Sequence, residues 1–188
     1  MDALELLTAD HNRVRGLFSR FKDAEDKDNT AEQAELAGKI VEELQIHTTI
    51  EEEIFYPTVH DLSSEIGDLV DEGLEEHHVA KTLIGELPSL EAGSDEWVAK
   101  MKVLIESVEH HAEEEEGEMF PKVRSATDAS KREGLGEKLE ARKVELGGFA
   151  AADNDGASVS ELRKKASEQD IPGRSTMDRD ELAATVEP

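Results

Sequence analysis

Four stretches of this chain place apolar residues at alternating steps of three and four, and every one of those stripes carries a histidine within it. In the first stripe His11 lies four residues after Leu7 and three before Val14, with Phe18 and Phe21 beyond. The second runs Leu36, Ile40, Leu44, His47, Glu51 and Ile54. The third runs Ile66, Val70, Gly73, His77, Ala80, Ile84 and Leu87, and the fourth Trp97, Met101, Leu104, Val108, His111, Glu115 and Met119. This is the helical period rather than the strand period, so the chain is expected to be all-α. The same pattern turns polar side chains toward an apolar interior, where unpaired they are costly.

Asp26 to Thr30, Pro57 to Ser64 and Pro88 to Ser94 punctuate the stripes, with Gly93 and Ser94 reading as a stop followed by a cap. Links this short imply antiparallel neighbours, hence an up-down four-helix bundle. Pro121 and Thr127-Asp128 mark a break. Leu135, Leu139, Arg142 and Leu146 then suggest a fifth, flanking helix ended by Gly147 and Gly148. The expected organisation is a main domain over 1–148, a small polar linker over 149–157, and a helix-turn-helix-like tail over 158–188. In the tail, Leu162 and Ala166 belong to one helix, Ile171-Pro172-Gly173 to the turn, and Leu182 to a second helix beginning near Met177-Asp178. About 30 residues cannot bury much of a core alone.

The two halves of the main domain repeat one another. His47 to Pro57 reads H-x-x-x-E-E-E-I-F-Y-P and His111 to Pro121 reads H-x-x-x-E-E-G-E-M-F-P. Asp10-His11 with Val14-Arg15 likewise matches Glu76-His77 with Ala80-Lys81. The first His precedes the second by 36 residues in one half and 34 in the other, as a tandem duplication of a helix-loop-helix unit requires. Spacing of i, i+4 stacks His47 on Glu51 and His111 on Glu115, so four helices aim four imidazoles and two carboxylates at one interior location. Two readings stand. Either these are hydrogen-bonded core residues, or His11, His47, Glu51, His77, His111 and Glu115 hold metal.

The chain has no cysteine, so such a metal must be held by His, carboxylate or Tyr, which favours iron or manganese over structural zinc. His78 and His110 fall off the stripes, and His60 has no counterpart in the other half. Glu52, Glu53, Glu113, Glu114 and Glu116 read mostly as a wet face from which one can reach in as a ligand or ligand orienter. Tyr56 either approaches the metal, caps the pocket or packs near the proline.

With its doubled His-x-x-x-Glu motif and its I-F-Y-P and E-M-F-P endings, the chain resembles the hemerythrin HHE cation-binding family over about residues 1 to 146. The resemblance implies a non-haem di-iron centre, oxo- or hydroxo-bridged, with Glu51 and Glu115 bridging and the four histidines as terminal ligands. Oxygen-carrying hemerythrins end their last motif in Asp and supply a further His. This sequence has Glu and no fifth His on a stripe, closer to bacterial hemerythrin-like proteins linked to iron, peroxide or nitric oxide handling. The tail resembles the helix-extended-helix motif at the N-terminus of transcription terminator Rho, which leaves two roles open: nucleic-acid binding with Arg163, Lys164, Lys165, Arg174 and Arg179 as phosphate contacts, or a docking or tethering segment.

Three functions follow as expectations: binding or sensing of oxygen, nitric oxide or iron; catalase-like decomposition of peroxide; or a metal-free scaffold acting through the tail. A formal net charge of −25 opposes nucleic-acid binding. The opening Met-Asp-Ala-Leu-Glu-Leu-Leu lacks a basic leader and no stretch approaches a membrane span, so a cytoplasmic location without a membrane partner is expected.

Overall fold

A computed structural model describes residues 1–148, 159–177 and 179–186, so the expected linker over 149–157 lies outside the described residues. The described residues are helical, with no strand among them, and no helix is long and apolar enough to cross a membrane.

Helix α1 spans Ala3–Asp26 and starts where Asp2 can cap it. The Asp2 carboxylate accepts from the Leu4 and Glu5 amides while the Glu5 carboxylate accepts from the Asp2 amide, a reciprocal capping box. Asn29 caps α2, Thr30–Ile50; Ser63 caps α3, Ser64–Glu86; Ser94 caps α4, Asp95–Glu114. Gly93 at φ +82° makes the turn before Ser94, against Thr30, as the stop-and-cap pattern suggested.

The prolines do not break the rods as expected. Past Ile50 the chain stays helical through a wide π turn at Glu51–Phe55, then Tyr56–Val59 and a 3₁₀ turn at His60–Leu62, and stops only at Ser63. The second half repeats this, with a π turn at Glu115–Met119 leading into Phe120–Ala126, so the break falls at Thr127. The physical reason is the hydrogen-bond register. Tyr56 N–H reaches back five residues to Glu51 O, and Phe120 N–H to Glu115 O. The wider turn carries away the carbonyl that a proline ring would otherwise strike four residues back.

The apolar core divides in two. One cluster gathers Leu4, Leu7, Ile50, Phe55, Val70, Met119 and Phe120, and the other Val14, Phe18, Phe21, Ile40, Leu44, Trp97, Met101 and Leu104. Each such side chain contributes about 1.5–3 kcal/mol by leaving water. The polar members of the four stripes are buried between the two clusters.

Helix α5, Ala129–Glu145, is the expected flanking helix. It seats Leu135 and Leu139 in the first cluster and sends Arg132 to Asp2, with Nε–Oδ2 at 3.0 Å. The tail forms α6, Val159–Glu168, and α7, Arg179–Thr185, around buried Leu162, Ala166, Ile171, Met177 and Leu182. It also leans on α1, where a Cβ at Gly16 would come within 2.6 Å of Ile171 Cδ1. That shared contact supplies burial the tail cannot provide alone.

Asp2 serves both the α1 cap and the α5 ion pair. Asp2→Ala is expected to cost about 1–2 kcal/mol, the loss typical of an N-cap, measured as a lower denaturant midpoint at unchanged slope.

Candidate metal centre

Burial, not sequence proximity, brings the six predicted side chains together. His11 comes from α1, His47 from α2, His77 from α3 and His111 from α4, while Glu51 and Glu115 are the first residues of the two π turns. All are buried, with Glu51 at 0 % and Glu115 at 1 % exposure. His11 and His47 approach through their Nε2 atoms at 3.1 Å, and so do His77 and His111 at 3.1 Å. Glu51 Oε2 lies 3.2 Å from His47 Nε2 and 3.3 Å from His77 Nε2, which places it between the two imidazole pairs. Glu115 Oε2 takes the reciprocal place, 3.3 Å from His11 Nε2 and 3.8 Å from His111 Nε2. Donor atoms of His11, His47, Glu51 and Glu115 lie within 4.8 Å of one another, as do those of Glu51, His77 and His111, so each group could hold one ion. The sequence profile of the hemerythrin HHE cation binding domain matches residues 2–123.

The chain belongs to the hemerythrin HHE family.

Two curated relatives lie further off. A DNA nickase of Nostoc sp. is 25 % identical over 159 residues, covering 85 % of this chain and 44 % of that protein. An uncharacterized hemerythrin-like protein of Schizosaccharomyces pombe is 26 % identical over 113 residues, covering 60 % of this chain and 54 % of the relative. The chain therefore spans about half the length of the curated relatives it matches. No solved structure matches it at a significant level.

Around the HHE cluster, Glu52 and Glu116, read from the sequence mostly as wet face and otherwise as a ligand or ligand orienter, serve the histidines, and so does Glu76, which the sequence reading does not single out. Glu116 holds His11 Nδ1 at 2.7 Å and is itself held by Arg15 at 2.8 Å. Its counterpart Glu52 holds His77 Nδ1 at 2.9 Å and is paired with Lys81. Glu76 holds His111 Nδ1 at 2.7 Å. Glu53 instead meets Arg142 at the surface, and Glu113 and His78 are exposed. His110 sits outside beside Glu114 at 3.3 Å, and His60 is turned to Asp61 at 2.8 Å, away from the cluster. A signal for Glu52 and Glu116 was present, since both repeats read Glu-Glu at the motif's end.

Tyr56 is at the cluster rather than merely near its proline. Its hydroxyl donates to Glu115 Oε1 at 3.0 Å and lies 3.4 Å from both His77 Nε2 and His111 Nε2. The duplication explains how it fits. Gly73 stands in α3 where Leu7 stands in α1, 66 residues earlier, and Phe120 stands where Tyr56 does, 64 residues on. A Cβ at Gly73 would lie 2.9 Å from the Tyr56 hydroxyl.

Electrostatics show how poorly six buried groups satisfy one another. Burial, then the facing Glu115 carboxylate, pushes Glu51 well above the usual carboxylate range. Burial also acts to raise Glu115, but His111 and His11 hold it low. Burial works against a charged His11, yet its bonds to Glu115 and Glu116 raise it to about 9. Its counterpart His77, buried and beside His111, drops to about 2. Tyr56 is raised well above its ordinary value by burial and by Glu115. Among the described residues, both Glu51 oxygens, Glu115 Oε2 and His47 Nδ1 have no hydrogen-bond partner.

Above the cluster two apolar pockets lie on either side of Leu44 and Val108. The first is narrow and lined by His47, His77 and His111, and the second, also narrow, by His11 and His47. Ala80 and Ile84 line the first where Val14 and Phe18 line the second.

Gly73→Ala is expected to cost about 1–3 kcal/mol by overpacking against Tyr56, and clearly less in a Tyr56→Phe background where the hydroxyl is gone. A denaturation double-mutant cycle measures the difference. Equal costs in both backgrounds would refute the contact as the reason for glycine.

Proposed function

We propose that this HHE domain holds a non-haem di-iron centre, with His11 and His47 on one ion, His77 and His111 on the other, and Glu51 and Glu115 across both. The observation that carries the reading is Glu51: a carboxylate at 0 % exposure, set between two imidazoles, with neither oxygen hydrogen-bonded to a described residue. Burying such a group without hydrogen bonds costs several kcal/mol, and a cation relieves it. The paired nitrogens fit as well. Two metal–nitrogen bonds of roughly 2.1 Å at a right angle set their nitrogens about 3 Å apart, close to the 3.1 Å of each histidine pair. Imidazole and carboxylate without thiolate suit iron.

Four imidazoles and two bridging carboxylates give about eight donor positions, and an oxo or hydroxo bridge about two more, against about twelve for two octahedral ions. Bound iron would supply Lewis acidity and electrons to a small oxygen- or nitrogen-containing ligand at a position left open. The protein's part is to orient the imidazoles through Glu116, Glu52 and Glu76, and to keep the approach apolar through Leu44, Val108 and Ala80. The reading is therefore a protein that binds or senses oxygen, nitric oxide or iron.

One observation favours a second reading, peroxide decomposition. The Tyr56 hydroxyl places a proton within hydrogen-bond reach of Glu115 at the cluster's edge. Such a donor is of use when an O–O bond is broken.

We assign the centre to residues 1–148 and treat the tail as an appendage. The nickase's name concerns a protein of which this chain matches 44 %. A net charge of −25 disfavours phosphate contact, although Arg163 and Lys164 are exposed on α6.

Protein purified without air is expected to carry about two irons per chain, and His47→Ala to lose about half of that iron while keeping its helical circular dichroism. Unchanged iron in the variant would sink the assignment, and no iron in wild type from iron-replete cells would return the cluster to a metal-free core. An absorption band on aeration that reverses on deoxygenation indicates a carrier or sensor. Rapid iron-dependent peroxide loss indicates the enzyme.

A further inference from the structure

Three of the four imidazoles at the centre are steadied on their outer nitrogen by a carboxylate: His11 by Glu116, His77 by Glu52 and His111 by Glu76, at 2.7–2.9 Å. His47 is the exception. Its Nδ1 stands 3.9 Å from Asp10 Oδ2, too far for a hydrogen bond, and both atoms are buried without another partner among the described residues.

The duplication makes the exception informative. Asp10 occupies in α1 the place that Glu76 occupies in α3, so a carboxylate does stand behind His47. It is engaged elsewhere. Its Oδ1 accepts from Lys143 Nζ of α5, and both side chains are 3 % exposed. A glycine at 148 lets the chain close over the lysine stem, since a Cβ there would lie 2.7 Å from Lys143 Cγ and 3.2 Å from Cε. Lys143 lies beyond residue 123, where the HHE match ends, so the flanking helix adds this contact to the domain. Among the described residues no lysine or arginine is paired with Glu76, whose Oε1 lies 3.9 Å from the exposed His110 and whose Oε2 accepts from His111.

A carboxylate on the outer nitrogen fixes the ring and makes the inner nitrogen a better donor, and losing one typically costs about 10–100-fold in metal affinity. We propose that Lys143 is a positioning residue that withholds Asp10 from His47, so the centre has one tightly held metal position at His77–His111 and one exchangeable position at His11–His47. This rests on the di-iron reading above and deepens it, assigning the two halves of a duplicated site different tasks. One ion is retained as structure and charge, and the other comes and goes with supply.

The test is an anaerobic titration of the metal-free full chain with ferrous ion, followed by release to a ferrous chelator. Wild type is expected to bind in two steps about 10–100-fold apart and to release in two phases. In Lys143→Met the carboxylate is free to turn to His47, and the gap should close to within a few-fold. Asp10→Glu, which lengthens the reach while keeping the pair with Lys143, should narrow it in the same direction and serves if the methionine variant does not fold. His11→Ala should abolish the weak step and spare the strong one. A single step of two equal ions in wild type overturns the proposal, as does a gap unchanged in folded Lys143→Met or Asp10→Glu.

Imidazole nitrogen–proton NMR spectra of the metal-free protein decide the contact independently of iron. The His47 Nδ1 signal should show no strong hydrogen bond in wild type and gain one in Lys143→Met; a strong bond already present in wild type overturns the proposal. If no iron binds, the di-iron reading fails, and the exchangeable position with it, while the NMR result still stands for the Lys143–Asp10–His47 geometry.

Discussion

Two carboxylates facing each other in the middle of an apolar bundle are the condition around which the rest of this structure is arranged. Glu51 and Glu115 stand between two hydrophobic clusters, where lost water disfavours both negative charges and Glu115 further disfavours that of Glu51, while the histidines hold Glu115 low. Imidazoles approach from all four helices, outer carboxylates orient three of them, and Arg15 and Lys81 hold two of those carboxylates from the surface. Even so, counterparts His11 and His77 are driven to opposite ends of the imidazole range.

Much of this was legible in the chain because it rests on local rules. Four stripes of period 3.6, short links and small polar caps such as Asn29, Ser63 and Ser94 specify helices and their starts, and i, i+4 spacing specifies which polar residues share a face. The prolines were misleading because Pro57 and Pro121 read as stops whenever the preceding turn is assumed to be α; nothing in a residue list announces a π turn. Tyr56 required knowing that Gly73 faces it across two helices. Lys143 carried a fainter signal, four residues after Leu139 and eight after Leu135 on the buried face of α5, but its partner Asp10 is 133 residues away in sequence.

The duplication gives the molecule a built-in comparison. Where the halves agree, as in the His-Glu stacks, the π turns and the Glu52–Glu116 pair, both copies answer the same physical demand. Where they differ, each change has a neighbour that accommodates it. Tyr56 for Phe120 goes with Gly73 for Leu7, and Asp10 for Glu76 goes with Lys143 from a helix that has no counterpart in the other half. The pocket over His77 has Ala80 and Ile84 in place of the Val14 and Phe18 of the pocket over His11.

The π turns bear on how the site can move. A wide turn in an ordinary helix can travel along it by exchanging one hydrogen bond at a time, a creeping dislocation that rotates the side chains it passes. Here each wide turn is followed within two residues by a proline, whose ring forbids the narrow register at that spot. The dislocation is pinned in both copies. The backbone beneath Glu51 and Glu115 is thereby denied slippage, leaving their own side-chain torsions as the freedom with which these carboxylates adapt to whatever they hold.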